Sequence, residues 1–254
     1  MTQSTFAQSL FSLESKRALV TGSGRGIGAA IAKGLAGFGA EVVVHDVTEE
    51  AARQTCDTIK AAAGRCRAVG SDLSAPGAGR RLIEMMAPID ILVINASAQI
   101  NGEIDMITDE NFDKHIAVNL RSTVDMLQAC LPQMAERGWG RIVSIGSINQ
   151  LRPKPVVTMY AATKAAQHNL IQSLARQYAP RGVLLNTLAP GLVDTERNAD
   201  RRNQDPEGWA TYVRNLNWMG RAGGVDEMVG AAVFLSSNAC SFMTGETIFV
   251  TGGY

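Results

Sequence analysis

The chain has 254 residues, of which 46% are apolar and 19% charged, and its 24 basic and 24 acidic residues give a formal net charge of zero. This composition predicts a folded globular protein, and the balanced charge argues against a nucleic-acid or membrane-surface binder, which needs a basic excess. No apolar run approaches the roughly 20 residues of a membrane helix, and the N-terminus lacks a secretory pattern, so we expect a cytoplasmic protein. The cysteines at positions 56, 66, 130 and 240 have no metal-ligand spacing, and we expect thiols and no metal site.

Short β-branched runs alternate with longer Ala-rich stretches along the chain. Strands are predicted at residues 17–20, 41–45, 65–69, 89–94, 141–145, 183–188 and 247–250. Helices are predicted at residues 26–38, 48–63, 110–137, 159–178 and 225–235. The strands are continuously apolar, so both faces of their sheet should be covered. The alternation predicts one α/β domain over residues 16–254, a Rossmann-type doubly wound parallel sheet of about seven strands with helices on both faces.

Two segments interrupt this alternation. Residues 1–15 are polar with scattered Phe and Leu, and we expect a loose lead-in. Residues 192–220 are longer than a normal connection and contain Trp209, Tyr212 and Trp218, which favours a lid over a site rather than disorder. The arginines at positions 197, 201, 202 and 214 are more typical of a solvated helix face than of an anion site.

A glycine-rich loop follows the first predicted strand and opens the first helix of the alternation, with the sequence Thr21-Gly22-Ser23-Gly24-Arg25-Gly26-Ile27-Gly28. Glycines permit a tight turn, and the N–H groups at the helix start can bind a pyrophosphate. The strand–loop–helix context makes a dinucleotide site the preferred interpretation.

Asp46 ends the second predicted strand. A carboxylate there accepts hydrogen bonds from the adenosine ribose hydroxyls and repels a 2′-phosphate, so it favours NAD over NADP. Arg25 could favour the phosphate instead, and we give Asp46 more weight. The neighbouring His45 is expected at the surface.

Tyr160 and Lys164 are spaced four residues apart on a predicted helix, so both side chains lie on one face. An ammonium about 5 Å from the phenol would stabilise the phenolate by roughly 3 kcal/mol at an effective dielectric of about 20. The tyrosine could then act as an acid or base near neutral pH. Ser147, just after the fifth strand, can hydrogen-bond a substrate oxygen, whereas Ser144 lies within the strand.

The TGxxxGxG loop, the serine and the YxxxK pair resemble the short-chain dehydrogenase/reductase family, over about residues 13–253. The resemblance implies a proton relay in which Asn119 joins Ser147, Tyr160 and Lys164. It also implies an adenine contact after the third strand and a nicotinamide contact after the sixth. The positions predicted to bind the cofactor are Gly22, Arg25, Gly26, Ile27, Gly28, Asp46, Asp72, Leu73, Asn95, Ala96, Ser97, Tyr160, Lys164, Pro190, Gly191, Val193 and Thr195.

Two positions depart from the family pattern. The usual NNAG reads Ile94-Asn95-Ala96-Ser97 here, so Ser97 adds a side chain near the cofactor ribose. Thr251 stands where many members have Asp. For Asp72 the alternative interpretation is a helix cap.

The resemblance implies hydride transfer between a nicotinamide cofactor, NAD rather than NADP, and a secondary alcohol or ketone. Tyr160 would give or take the proton, Ser147 would orient the oxygen, Lys164 would hold the ribose and Asn119 would link the relay to water. A non-catalytic dinucleotide-binding regulator is the remote alternative, and the complete set of four residues argues against it. A homotetramer is implied by the family and not by the sequence itself.

The substrate is left open between two classes. The chain looks most like 3-oxoacyl carrier-protein reductases, which act on acyl thioesters, and Arg137 and Arg181 could meet an acidic carrier protein unless they are ordinary surface residues. The alternative is a catabolic NAD-dependent dehydrogenase of a polyol, sugar or other secondary alcohol. Polar residues beside the predicted pocket would suit a hydroxylated or anionic substrate: Gln99, Asn149, Gln150 and Arg152.

Overall fold

Seven parallel strands form a single sheet in the order β3-β2-β1-β4-β5-β6-β7. The structure is a computed structural model that describes residues 3–253. All the predicted strands appear, with ends within two residues of the predicted bounds. The strands are β1 (Arg17–Thr21), β2 (Glu41–Asp46), β3 (Arg65–Gly70), β4 (Ile91–Ile94), β5 (Gly140–Ile145), β6 (Val183–Pro190) and β7 (Thr247–Val250).

Helices connect the strands and flank the sheet. The helix predicted over residues 110–137 is divided, because a π-helical turn (Ile116–Arg121) separates two α-helices. The α-helices are α1 (Gln3–Phe11), α2 (Gly26–Gly37), α3 (Glu49–Ala61), α4 (Ala78–Met86), α5 (Asp109–His115), α6 (Ser122–Glu136), α7 (Thr158–Tyr178), α8 (Ala199–Gln204), α9 (Pro206–Arg214) and α10 (Val229–Ser236).

Both faces of the sheet are covered, as the continuously apolar strands predict. Helices α2, α3 and α10 bury their apolar sides on one face, and α4, α6 and α7 on the other. In β4, Ile91 and Val93 contribute to the first core, while Leu92 and Ile94 contribute to the second. Successive side chains point to opposite faces of a strand, so a strand buried on both faces must be apolar throughout.

The loose lead-in predicted for residues 1–15 is wrong where the structure describes it, because residues 3–11 form α1. Residues 1 and 2 lie outside the described residues. The ring of Phe11 tilts against Phe38 with centroids 6.4 Å apart, and Leu13 is fully buried. These apolar contacts with the end of α2 hold the segment against the domain.

Helix α4 was not predicted. It is short and begins after Gly77, which adopts a left-handed conformation with φ +70°. Its Leu82, Ile83 and Met86 are buried against the sheet. An amphipathic stretch of nine residues that contains two arginines carries too weak a periodic signal to be separated from a loop.

The lid predicted over residues 192–220 contains α8 and α9 rather than an irregular loop. Pro206 starts α9, and the Asp205 carboxylate caps it by accepting a hydrogen bond from the Gly208 N–H at 2.9 Å. Trp209 and Val213 belong to this helix, and their side chains are buried. Burial of these two side chains explains why the segment is ordered.

The prediction of thiols is wrong for Cys56 and Cys66, which form a disulfide between α3 and β3 with Cα atoms 5.6 Å apart. Helix α3 packs directly on β3, and this contact brings together two residues ten positions apart. Cys130 and Cys240 are buried free thiols.

The strand order creates a crevice between β1 and β4. The chain builds outward from β1 to β2 and β3, then returns to place β4 on the other side of β1. The loops that leave the carboxyl ends of β1 and β4 therefore run in opposite directions and part from each other. In open α/β sheets, ligands bind at this point.

Candidate active site

A cavity of ≈ 1280 Å³ opens at the carboxyl ends of the strands. Every residue predicted to bind the cofactor lines it, and so do Ser147, Tyr160 and Lys164. Asn119 is fully buried behind the cavity wall and does not line it.

No group of three or more His, Cys, Asp or Glu side chains able to hold a metal occurs in residues 3–253. No helix of that range is long and apolar enough to cross a membrane.

The glycine-rich loop is shaped by close approaches of the backbone. Gly26 adopts φ +60°, and a Cβ there would meet only Thr195 at 3.9 Å, so the loop faces open space in the cavity. A Cβ at Gly28 would collide with the carbonyl of Gly22 and the amide of Asn95, the latter at 2.5 Å. The start of α2 can therefore lie against β1 only because this residue has no side chain.

The amide of Asn95 joins the loops after β1 and β4. Its Nδ2 donates to the carbonyls of Thr21 and Gly22 at 2.9 and 2.8 Å. In return, the Thr21 hydroxyl accepts from the Asn95 and Ala96 N–H groups at 3.0 and 3.1 Å. These bonds fix the width of the crevice at its base.

Asp46 faces the cavity from the end of β2. One carboxylate oxygen accepts from the Gly24 N–H at 3.0 Å and the other from the Val47 N–H at 2.8 Å. A carboxylate offers about four acceptor positions, so two stay available to a ribose diol. Arg25 instead reaches across to the lid, where it forms an exposed ion pair with Glu196 at 2.7 Å.

His45 is buried rather than at the surface, which corrects the prediction. Its Nε2 lies 2.9 Å from the Ser71 carbonyl, and its Nδ1 accepts from the Gly22 N–H at 3.4 Å. Burial lowers its pKa, which favours the neutral ring that this pattern requires. His45 thus links the glycine-rich loop to the segment after β3. This link exists only because the fold brings the end of β3 next to the end of β2.

The remaining predicted cofactor positions lie at the ends of β3 and β6. The Asp72 carboxylate accepts from the Ser74 N–H and hydroxyl at 2.9 and 2.7 Å, and these bonds lower its pKa. Asp72 therefore caps a turn while also lining the cavity. Gly191 and Val193 continue from β6 and are held by hydrogen bonds and a bridge to neighbouring segments.

Ser147 is held with its hydroxyl toward the cavity by the short turn that follows β5. Its Oγ accepts from the Asn149 N–H and Nδ2, both at 3.2 Å. With these acceptor positions used, the hydroxyl proton is directed elsewhere, and the side chain hydrogen-bonds to Tyr160. Ser144 stays buried within the strand.

Tyr160 and Lys164 share one face of α7 as predicted, but the expected electrostatics are wrong. Burial raises the pKa of Tyr160, against the charge of Arg197 and hydrogen bonds from Ser147 and Arg197, which lower it. Burial and the Arg197 charge lower the pKa of Lys164 to about 7. The Lys164 ammonium lies 5.7 Å from the ring centroid of Tyr160 and donates to the Ile145 carbonyl at 2.7 Å. Burial is thus the largest influence on the pKa of both groups.

Asn119 lies in the π-helical turn and joins three elements. Its side chain bonds both the N–H and the carbonyl of Ala98, at 2.8 and 2.9 Å, and the hydroxyl of Thr163 at 2.9 Å. Its own carbonyl accepts from Gln167 at 2.6 Å and from Thr123 at 2.8 Å. The residue thus braces the loop after β4 against α7, and the predicted water relay stays a prediction.

A family model of the short chain dehydrogenases matches residues 16–206. The gluconate 5-dehydrogenase of Gluconobacter oxydans is 38% identical over 248 residues, which cover 96% of each chain. The chain belongs to the short-chain dehydrogenase family. It is an NAD(P)-dependent oxidoreductase that acts on alcohol and ketone groups.

Two solved structures are similar to this short-chain dehydrogenase over nearly its whole length. A 3-oxoacyl (acyl-carrier-protein) reductase from Agrobacterium tumefaciens C58 with NADP bound is 64% identical, with a TM-score of 0.97 and 100% of this chain and 99% of that chain covered. A gluconate 5-dehydrogenase from Burkholderia cenocepacia J2315 in complex with NADP and tartrate is 35% identical, with a TM-score of 0.90 and 97% of both chains covered. These structures support a nicotinamide dinucleotide in general and do not support the expected preference for NAD.

The side of the cavity formed by the lid and the segment after β5 carries positive charge that the sequence pattern leaves unassigned. Lys154, on the segment after β5, donates to the Tyr212 hydroxyl of the lid. The Arg201 guanidinium lies 4.1 Å from the Tyr212 ring and 5.6 Å from the Trp209 ring. Arg201 and Arg197 are solvent-exposed, as expected of a solvated helix face, and both also line the cavity. The available signal was a lysine, Lys154, in the segment that follows β5 and Ser147.

Arg137 and Arg181 lie away from the cavity. Both precede strands, β5 and β6, and so lie at the amino ends of the sheet, whereas the cavity lies at the carboxyl ends. Arg137 donates to the Ile89 carbonyl at 2.6 Å, and Arg181 stacks on Tyr178 at 4.3 Å. Within one chain, these arginines do not flank the cavity mouth.

Two glycines of α2 provide a matched test of the glycine-rich loop. Gly28→Ala should lower the free energy of unfolding and weaken dinucleotide binding about tenfold or more, because the new Cβ meets backbone that can move only by widening the loop. Gly37→Ala meets nothing within 4 Å and should be neutral or stabilising by up to about 1 kcal/mol. Urea unfolding and NADH titration measure both effects. Equal behaviour of the two variants would contradict this account of the loop.

Proposed function

We propose that this enzyme interconverts a secondary alcohol and a ketone on an anionic, polyhydroxylated substrate of the sugar-acid type. The observation that carries the proposal is the pair of cations beside Tyr212, Lys154 and Arg201. Neither belongs to any ion pair among the described residues. A cavity that holds two uncompensated cations favours an anionic ligand.

The acidic residues of the cavity do not neutralise these cations. Asp46 and Asp72 lie at the ends of β2 and β3, on the adenosine side. Asp194 pairs with Arg202 and Glu196 with Arg25. The positive charge at the substrate end is therefore available to a carboxylate of the substrate.

Polar side chains near Ser147 suit substrate hydroxyl groups. The Oδ1 of Asn149 is buried and has no hydrogen-bond partner among the described residues, so a hydroxyl donor from the substrate would satisfy it. Gln99 and Asn101 line the same wall and hydrogen-bond each other at 3.1 Å. The Burkholderia structure contains tartrate, which is a carboxylate that also carries hydroxyl groups.

The residues present fit a bound nicotinamide dinucleotide. The glycine-rich loop and the start of α2 would hold the pyrophosphate, Asp46 the adenosine ribose and Lys164 the nicotinamide ribose. When bound, the cofactor gives or takes the hydride. For cofactor choice, we propose that Asp46 favours NAD, while Arg25 can serve a 2′-phosphate once it leaves Glu196, since an exposed ion pair contributes only about 0.2–1 kcal/mol.

The chain's own part in the reaction is to hold the substrate oxygen and move one proton. Ser147 donates a hydrogen bond to that oxygen, and the Tyr160 hydroxyl gives a proton to it in reduction and takes one from it in oxidation. Asn119 keeps the loop after β4 and α7 in register, so that these groups converge on one point. The lid of residues 192–220 covers the cavity and excludes water.

A 3-oxoacyl thioester is the second candidate substrate. It is favoured by the Agrobacterium reductase, which is 64% identical to this chain. Initial rates with acetoacetyl-CoA and NADPH, compared with gluconate and NAD, separate the two candidates. Fast thioester reduction with no sugar-acid oxidation would overturn the sugar-acid proposal.

The expected homotetramer stays a proposal. Support comes from apolar side chains left exposed around β7, namely Phe249, Trp218 and Phe242. Light scattering of the full chain measures the assembly.

Tyr160→Phe tests the acid–base role directly. Removing the hydroxyl should lower turnover by about 10²–10⁴-fold and leave NADH binding, followed by nicotinamide fluorescence, nearly unchanged. Residual activity within about tenfold of the wild type would exclude Tyr160 as the proton donor.

Asp46→Ala and Asp46→Asn test the choice of cofactor. Both remove the negative charge that repels a 2′-phosphate, so kcat/KM for NADP relative to NAD should rise about tenfold or more. The Asn variant keeps an acceptor for the ribose and should retain more activity with NAD. An unchanged ratio in both variants would place Asp46 outside the ribose site.

Lys154→Gln and Arg201→Gln test the proposed carboxylate site. Each should raise KM for gluconate about tenfold or more, because a charge-assisted hydrogen bond is lost, and should change KM for a neutral polyol much less. Arg214→Gln, an exposed lid residue that does not line the cavity, is the matched control. Equal effects on the charged and neutral substrates would count against an anionic substrate.

A further inference from the structure

The disulfide between α3 and the edge strand β3 is accessible from one side. Cys56, on α3, is 1% exposed and belongs to the apolar core, whereas Cys66, on β3, is only partly buried. A thiolate from solution can therefore attack the sulfur of Cys66, with Cys56 as the departing thiolate. The bond is thus placed for exchange with a small thiol.

Helix α3 lies closely along β3 at both ends of the strand. A Cβ at Gly70 would lie 2.3 Å from the Glu49 nitrogen, at the start of the helix. A Cβ at Gly64 would lie 2.7 Å from the Ile59 side chain, near the end of the helix. The disulfide lies between these two contacts along the chain, so it joins surfaces that already fit each other without spare space.

The same helix supports the glycine-rich loop. The Thr55 hydroxyl donates to the Gly24 carbonyl at 2.9 Å, and a Cβ at Gly24 would lie 2.2 Å from the Ala51 carbonyl oxygen. The Gly24 N–H in turn donates to the Asp46 carboxylate at 3.0 Å. Cys56 follows Thr55 directly, so a shift of α3 at the disulfide also moves the residue that holds the loop.

Reduction changes the fit between α3 and β3. Two thiols must separate to van der Waals distance, which is much longer than a covalent S–S bond. The core around Cys56 is closely packed, and packed interiors have little room for a side chain to turn aside. The separation is therefore taken up by movement of the helix relative to the edge strand, and this movement reaches Gly24 through Thr55.

We propose that Cys56 and Cys66 form a thiol–disulfide exchange site for low-molecular-weight thiols, and that the oxidised form holds the glycine-rich loop in the shape that binds the dinucleotide. The proposal rests on the placement of the dinucleotide against this loop and Asp46 proposed above. It does not depend on the identity of the substrate.

The exchange balances with a small thiol as the reductant and its disulfide as the oxidant. In reduction, the thiolate bonds to the Cys66 sulfur, the bond between Cys56 and Cys66 breaks, and Cys56 leaves as a thiolate that takes a proton. A second small thiolate then attacks the sulfur of the first, which releases Cys66 and forms the small disulfide. Two electrons pass from the two small thiols to the protein, and oxidation is the reverse.

The first experiment measures dinucleotide binding in two verified redox states of the full-length protein. The protein is equilibrated with reduced or oxidised glutathione, and alkylation followed by mass spectrometry counts the free thiols among its four cysteines. NADH and NADPH are titrated by fluorescence. We expect two free thiols in the oxidised form and four in the reduced form, and a Kd about fivefold or more higher in the reduced form for the dinucleotide that binds more tightly.

Cysteine variants show which thiols carry the response. A Cys56→Ala, Cys66→Ser double variant should bind the dinucleotide like the reduced wild type, with either form of glutathione. Cys130→Ala removes a free buried thiol and should keep the full response. If the double variant fails to fold, the comparison of the two wild-type redox states still decides the proposal, because it needs no substitution.

Thr55→Val tests the path from the disulfide to the loop. It removes the hydrogen bond to Gly24 and keeps both cysteines, so the disulfide should still form while the Kd becomes high in both redox states. Thr58→Val is the matched control on the same helix, since the Thr58 hydroxyl is exposed and donates to the Gln54 carbonyl at 2.9 Å. The control should keep the difference between the redox states.

The coupling must also act in the opposite direction, because the two binding free energies are linked. Saturating dinucleotide should favour the disulfide in glutathione buffers by the same factor that reduction weakens binding. A fivefold coupling corresponds to a shift of about 20 mV in the midpoint of the two-electron couple.

The outcomes separate this inference from the proposed function. Four free thiols after treatment with oxidised glutathione, or the same Kd in two verified redox states, would overturn the exchange site as a control of binding. A redox response that survives in Thr55→Val would overturn the path through Gly24. Unchanged dinucleotide binding in the Gly28 and Asp46 variants would instead defeat the proposed placement of the cofactor, while the thiol count would still report the exchange.

Discussion

The hydrogen bonds between Asn95 and the backbone of Thr21 and Gly22 join the two loops between which the whole site is built. A parallel sheet that reverses its direction of growth between β1 and β4 leaves a crevice there. Without these hydrogen bonds, the two loops could move relative to each other and change the width of the crevice. With the amide in place, the glycine-rich loop, the carboxylate of Asp46 and the helix carrying Tyr160 all face one cavity of defined width.

Charge is separated along that cavity. Carboxylates lie at the ends of β2 and β3, where two backbone N–H groups and a turn hold Asp46 and Asp72. Cations lie beside the lid, where Lys154 and Arg201 flank Tyr212 without a carboxylate partner among the described ion pairs. This separation favours a dinucleotide with free ribose hydroxyls at one end and an anion at the other.

Burial works against the proton transfer proposed for Tyr160. Removing Tyr160 and Lys164 from water disfavours the charged form of each, so the phenol becomes harder to ionise and the ammonium easier to neutralise. Lys164, four residues away on the same helix, is buried together with the tyrosine. Arg197 of the lid is held by Gln99 and Ser97 of the loop after β4, so the lid and this loop together form one side of the cavity.

The sequence by itself determined the strand–helix alternation, the glycine-rich loop and the spacing of Ser147, Tyr160 and Lys164, because these depend on local periodicity and on short-range geometry. Only the tertiary structure decided the burial of His45, the pairing of Cys56 with Cys66 and the entry of Arg197 and Arg201 into the cavity. The pKa directions of Tyr160 and Lys164 belong to the second group as well. Each of these properties depends on how strongly the residue is excluded from water and on which distant segment of the chain packs against it. The spacing of residues along the chain specifies neither of these.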